Sequence, residues 1–324
     1  MKVVVTGAAG FIGSHTCERL VADGHSVVGV DSFDDYLYPA APKRRNAADV
    51  VAALPPQSFR MVEADICDAD AMRAVLDGAD VLCHLAALAG VRPSLAQPQK
   101  YIRANLQGTV SVYEACRDTG VDRVAFASSS SVYGKRAAGQ AFREDDPCLE
   151  PASPYGATKR AGELLSSTYR DLYGLGITAL RFFTVYGPRQ RPDMMIHKLL
   201  RAAHSGQAVP LFGDGSSARD YTFVDDIVSG TVAACLRVTP GAFEIVNLGG
   251  HETTKLSELV AIVERITGRS VTLDRQPDQP GDVPITFADV SRAKALLDYA
   301  PTTSVETGVA RYWEWFKTDR SRSS

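Results

Sequence analysis

Six short, largely apolar runs, at 3–6, 26–31, 59–63, 81–85, 124–128 and 177–183, alternate with amphipathic stretches at 11–22, 68–77, 98–119 and 154–173. A strand that is apolar on consecutive residues buries both of its faces. That happens in parallel sheets covered by helices on each side. Strand–helix–strand repetition of this length therefore predicts an α/β chain built on a doubly wound parallel sheet.

After Phe183 the regular order fails. Pro188, Pro192 and Pro210 interrupt the chain, and the remainder reads as a strand and helix around 223–236, a strand at 243–248, a helix at 255–267, a proline-rich stretch at 277–284 and a last helix near 291–298. We expect a smaller, discontinuous α/β lobe here, closing over the carboxyl edge of the sheet. The division expected is 1–183 with 221–249 for the sheet domain, 184–220 with 250–317 for the lobe, and a frayed polar tail at 318–324. Residues 32–57 read as a long loop whose Lys43, Arg44 and Arg45 form a solvated charge run.

The chain carries a formal net charge of -3 over 324 residues, which argues against nucleic acid or an anionic membrane surface as its main partner. No apolar run approaches the roughly 20 residues of a membrane span, and Met1 and Lys2 lead straight into the first strand. Its six cysteines form no CxxC pair and sit mostly inside apolar patterns, as reduced thiols do, so a cytoplasmic protein is expected. The six histidines show no ligand spacing, and no metal is expected.

"VTGAAGFIGSH" sets Gly7, Gly10 and Gly13 between the first strand and first helix. Side chains are missing there where a pyrophosphate would approach backbone N–H groups at a positive helix end, the device of a Rossmann-type fold. Asp31 ends the second strand, 18 residues beyond Gly13, placed to accept from adenosine ribose hydroxyls and to repel a 2′-phosphate, which favours NAD over NADP. Asp65, after the third strand, is placed at the adenine edge. The candidate cofactor set is completed by Phe11, Ile12, Ile66, Leu85, Ala86 and Ala87.

In "SPYGATKRAGE", Tyr155 and Lys159 lie four apart at the start of a helix opened by Ser153 and Pro154, so they share a face. A phenol near pKa 10 needs a shift of about three units, roughly 4 kcal/mol, to act as a base at neutral pH. An ammonium about 4 Å away supplies about that much at an effective dielectric near 20. Just upstream, "SSSSVYG" ends an apolar strand in four hydroxyls, which must either make turn bonds or face a polar ligand.

"TGAAGFIG", "SSSSVYG", "YGATK" and "LRFFTVYGPRQRPD" together resemble the extended short-chain dehydrogenase/reductase family, in its nucleotide-sugar epimerase and dehydratase branch. The resemblance runs from Lys2 to about Tyr299. It implies Tyr155 as catalytic base, Lys159 bonding the nicotinamide ribose and lowering the tyrosine pKa, Ser129 assisting, a tightly held NAD, and a homodimer made by the helices near 98–119 and 154–173. Dehydratases of this branch carry Asp and Glu beside the Ser129 position, and decarboxylating relatives commonly carry a glutamate in the segment. Ser130 and Ser131 stand here instead, which leaves C4 epimerisation without elimination.

Thr184, where hexose epimerases usually have Asn, and "QPGDVP" at 279–284 resemble UDP-glucuronate 4-epimerases. Ser129, Ser130, Ser131, Thr184 and Arg191 would then form a cradle for a sugar carboxylate. Such a cradle would also guard the 4-keto intermediate, a β-keto acid, against loss of carbon dioxide. By the same resemblance Arg219 would meet the nucleotide diphosphate, Phe212 the uracil and Asp282 the nucleotide ribose. The substrate expected is a UDP-sugar, foremost UDP-glucuronate. UDP-glucose/UDP-galactose 4-epimerase, UDP-glucuronate decarboxylase and a catalytically idle NAD-sensing protein are the alternatives.

Overall fold

A computed structural model describes residues 1–134, 140–250, 252–277 and 285–321, without the side chains of Arg320 and Ser321. Seven parallel strands form the central sheet: β1 (Lys2–Thr6), β2 (Ser26–Asp31), β3 (Phe59–Glu63), β4 (Val81–His84), β5 (Arg123–Ser129), β6 (Gly176–Phe182) and, from much later in the chain, β11 (Phe243–Leu248). Their order is β11-β6-β5-β4-β1-β2-β3. The winding direction reverses between β1 and β4, which opens a crevice at the carboxyl ends of those strands.

Val3, Val4 and Val5 are all inaccessible to solvent, as are Val81, Leu82 and Cys83. Both faces of the sheet are therefore covered. Helices α1 (Phe11–Ala22) and α9 (Val224–Arg237) pack together as part of that cover, and α3 (Ala69–Leu76), α6 (Gly108–Thr119) and α7 (Pro154–Tyr173) belong to it as well. The stretch expected as one helix at 98–119 is α5 (Pro98–Tyr101), a π-helical turn at Ile102–Gln107, and then α6. The widened turn puts the Asn105 amide on the Leu88 backbone, accepting from its N–H at 2.8 Å and donating to its carbonyl at 3.0 Å.

Three expectations need correction. Residues 32–57 are not one long loop, because α2 (Ala40–Ala53) occupies their second half, with Ala47 and Val50 buried. On its exposed side Arg44 pairs with Glu63 through two bonds of 3.0 and 2.8 Å and covers the Phe33 ring. The last helix is not the one near 291–298, here α11 (Ser291–Leu297). It is α12 (Val305–Ser321), which reaches into the tail expected at 318–324 as far as Ser321; the rest of that tail lies outside the described residues. Val309, Tyr312, Trp313 and Phe316, spaced at i, i+3, i+4 and i+7, form its buried face.

That face packs on α8 (Met195–Ser205) and α10 (Leu256–Thr267), with the Tyr312 hydroxyl 2.7 Å from His197 Nδ1. Three two-stranded pairings lie outside the central sheet: β7 (Thr184–Tyr186) with β10 (Tyr221–Phe223), β8 (Val209–Phe212) with β13 (Leu273–Gln276), and β9 (Ala218–Arg219) with β12 (Thr254–Lys255).

Phe316 is 2% exposed and stacks on Trp313. Phe316→Ala is expected to cost about 3–5 kcal/mol, read by denaturant unfolding. A change below about 1 kcal/mol would mean that α12 is not part of the core.

Candidate active site

A cavity of about 770 Å³ opens at the switch point. Its wall includes every cofactor-binding candidate named from the sequence: Gly7, Gly10, Phe11, Ile12, Gly13, Asp31, Asp65, Ile66, Leu85, Ala86, Ala87, Tyr155 and Lys159. Ser129, Ser130, Ser131, Thr184 and Arg191 line the same space. Phe212 and Arg219 lie outside this wall. Phe212 touches it at one remove, since the Arg92 guanidinium, which does line the cavity, covers the Phe212 ring at 4.5 Å. Asp282 lies outside the described residues.

The glycine loop is built for close approach. Gly7 has φ +72°, and a Cβ on Gly13 would stand 2.0 Å from the Gly7 carbonyl oxygen. Only glycine lets α1 start this near the loop. No side chain caps α1 at Gly10, so its first-turn N–H groups face the cavity mouth without the usual cap. This is the donor set that a pyrophosphate requires, and it fits a dinucleotide.

The Asp31 carboxylate accepts from Ala9 N–H at 3.0 Å and from Phe33 N–H at 2.8 Å. Burial pushes its pKa up and these two bonds pull it back, so the residue caps the loop and also offers its remaining lone pairs to the cavity. Lys43, expected to be solvated, lines the cavity beside Asp31, donates to the Asp34 carbonyl and stands over the Tyr38 ring. Asp65 is desolvated, yet Cys67 N–H and the Arg103 guanidinium, 2.8 Å away, hold it below the ordinary carboxylate range.

At the other end Tyr155 and Lys159 share a face of α7, as their spacing requires. Ser153 caps that helix by accepting from Gly156 N–H. Desolvation pushes the Tyr155 phenol up, and a hydrogen bond with Ser129 and the Arg191 charge oppose it. The protein's positive charge on this phenol thus comes from Arg191. Lys159 donates to the Ala127 carbonyl at 2.7 Å, and its burial lowers its own pKa to about 7. The same burial disfavours the charged form of both groups, the phenolate of Tyr155 and the ammonium of Lys159.

The serine segment divides its labour. Ser128 turns inward and donates to Glu163 at 2.6 Å, while Ser129 Oγ accepts from Ser131 N–H at 3.1 Å and opens a short 3-10 turn. That turn presents Ser130 and Ser131 to the cavity. Arg191 uses Nε and Nη2 on Asp193, at 2.9 and 2.6 Å, so Nη1 is the nitrogen left to reach a ligand. Arg92, Lys100, Gln190 and Asp193 also line the wall and were not singled out from the sequence. Arg191 and Asp193 share one local segment, a signal that was legible there, whereas Arg92 and Lys100 come from helices with no motif.

A seven-stranded parallel sheet, a glycine loop at its switch point and a Tyr–Lys pair facing that loop define a dinucleotide-dependent α/β enzyme of the short-chain dehydrogenase/reductase type. A model described as the NAD dependent epimerase/dehydratase family matches residues 3–249, and the chain belongs to that family. It is 39% identical over 319 residues to a UDP-glucuronate 4-epimerase of Thermodesulfobacterium geofontis, covering 97% of this chain and 95% of that one. It is 41% identical over 311 residues to an uncharacterized UDP-glucose epimerase of Bacillus subtilis, covering 95% and 96%. The crystal structure of UDP-glucuronic acid 4-epimerase from Bacillus cereus in complex with UDP-glucuronic acid and NAD superposes with a TM-score of 0.91 at 39% identity, covering 98% of this chain and 99% of that one.

The Lys159 pKa of about 7 has a consequence for stability. An unfolded lysine titrates near 10.4, so between these values the unfolded chain binds the extra proton and stability rises with pH. Between pH 7 and 9, thermal unfolding of the protein freed of NAD should rise relative to that of Lys159→Met. Parallel curves for the two proteins would refute the assignment.

Proposed function

We propose that this chain is an NAD-dependent 4-epimerase acting on UDP-glucuronate and yielding UDP-galacturonate. The observation that carries the reading is the composition of one cavity wall. The glycine loop, Tyr155 and Lys159 stand opposite a cluster of hydroxyls with Arg191. Among the described residues that wall contains no glutamate and no histidine. The carboxylate at the sugar end, Asp193, is held ionised by Arg191, so it has no proton to donate in an elimination.

Bound NAD supplies the redox chemistry, accepting a hydride from C4 and giving it back. The chain's residues do the rest. Tyr155 takes the C4 hydroxyl proton and later returns it. Ser129, bonded to the phenol, orients it and stabilises negative charge growing on O4. Lys159 is placed by Ala127 to meet the nicotinamide ribose. Ser130, Ser131, Thr184 and Arg191 hold the sugar carboxylate, so that the 4-keto sugar can turn its other face to the cofactor without losing carbon dioxide. Arg92, on the wall, and the Phe212 ring that it covers from outside lead on towards the nucleotide. Arg219, Phe212 and Asp282 stay assigned to the diphosphate, uracil and ribose by their motif positions.

The division into a sheet domain, 1–183 with 221–249, and a lobe, 184–220 with 250–317, is part of this reading, with α12 as the lobe's last element. So is a homodimer through the helical stretch 98–119 and α7, supported by Leu164, Leu172 and Tyr173, which α7 leaves 56, 65 and 45% exposed. All six cysteines are free, five of them buried, which suits the reducing cytoplasm. Among the described residues no helix is long and apolar enough to cross a membrane.

Incubation with UDP-glucuronate and, separately, UDP-glucose tests the substrate. The C4 epimer of the first is expected with little released carbon dioxide. Turnover of UDP-glucose alone would overturn the glucuronate assignment, and rapid carbon dioxide release would make the enzyme a decarboxylase. Tyr155→Phe is expected to lower kcat by at least about 10²-fold with an unchanged melting temperature. Near-normal rates would require another base.

A further inference from the structure

Beneath the serine segment lies a carboxylate that the mechanism above leaves idle. Glu163 is 1% exposed, on α7 one turn beyond Lys159 and two beyond Tyr155. Its Oε1 accepts from the Ser128 hydroxyl at 2.6 Å and from Arg181 Nε at 2.8 Å. Its Oε2 accepts from Arg181 Nη2 and from Arg160 Nη1, both at 2.9 Å. One carboxylate thus joins the carboxyl ends of β5 and β6 to the catalytic helix. A bidentate Arg–Glu pair is complete without a serine. The added Ser128 bond ties the pair to the residue directly before Ser129.

Lys159 stands on the same helix. The groups facing it are the Ala127 carbonyl and the Phe126 ring from β5, His84 from β4, and Glu163 from α7. His84 is neutral, since burial lowers its pKa to about 3. Glu163 is the one anion in this set, and the two cations near it, Arg181 and Arg160, are bound to its oxygens.

We propose that Glu163 is a positioning residue for the reaction. Through Ser128 it sets the Ser129 hydroxyl against the reacting phenol, and it supplies the negative charge that favours the ammonium form of Lys159 against the desolvation around it. The inference rests on the epimerase reading, because it assumes that Ser129 and charged Lys159 serve Tyr155.

Glu163→Gln keeps the shape and can still accept from Ser128, but it removes the charge. A cation that loses a neighbouring anion gives up its proton more easily. The alkaline limb of the kcat–pH profile for C4 epimerisation should therefore move to lower pH, on the order of one unit, with kcat at pH 8 down about tenfold and KM nearly unchanged. Ser128→Ala keeps the charge and is expected to lower kcat severalfold with the limb in place.

A role in folding alone would lower the melting temperature and the yield of folded enzyme without moving the limb. A folded Glu163→Gln enzyme with the wild-type profile would overturn the proposal. So would a Ser128→Ala enzyme with the wild-type kcat. If Glu163→Gln strands Arg181 and fails to fold, Glu163→Gln combined with Arg181→Met removes the stranded cation and must show the same limb shift. Failure of the wild-type enzyme to epimerise UDP-glucuronate strikes the function instead, so the two failures are distinguishable.

Discussion

One buried ion pair ties the ends of β5 and β6 to the helix that carries Tyr155 and Lys159. Glu163 and Arg181 are 0 and 1% exposed at their side chains, and the carboxylate has four donors around it. Burying such charges is costly unless every lone pair is satisfied, and here each oxygen accepts two bonds. Breaking any one contact leaves a desolvated charge. β5, β6 and α7 are thereby tied to a common point. The arginine also extends the polar layer, covering the Tyr133 ring, whose hydroxyl donates to Asn247 on β11.

Tyr155 and Lys159 stand on the same helix as that carboxylate, and burial moves their pKa values in opposite directions. It raises the phenol of Tyr155 and lowers the ammonium of Lys159, since both shifts disfavour charge. The protein answers with Arg191 and Ser129 on the phenol and with Glu163 on the lysine.

Much of this was legible in the sequence. The alternation of apolar runs placed six strands within a residue or two, and the Tyr–Lys spacing set both residues on one face of α7. The glycine loop and Asp31 fell where the cavity needs them. The misses share a cause, which is a weak or masked apolar face. α2 was lost in a polar stretch because only Ala47 and Val50 bury a face there. α12 was passed over although Val309, Tyr312, Trp313 and Phe316 carry helical spacing, because charged residues are interleaved with that face and a polar tail ends it. Lys43 looked solvated because a run of basic residues is solvated in most chains, and only the fold shows that Tyr38 and Asp31 stand beside it.

The chain by itself determined what is local: strand and helix periods, the glycine turn, and the pairing of residues four apart. Backbone geometry makes these consequences of neighbouring residues. The tertiary structure alone decided which charges act on the phenol, which serine turns inward and what stands behind Lys159. Desolvation and Coulomb interactions sum over groups brought together from distant segments. Glu163 meets Ser128 from 35 residues away, and Arg191 reaches Tyr155 across the loop that follows β7.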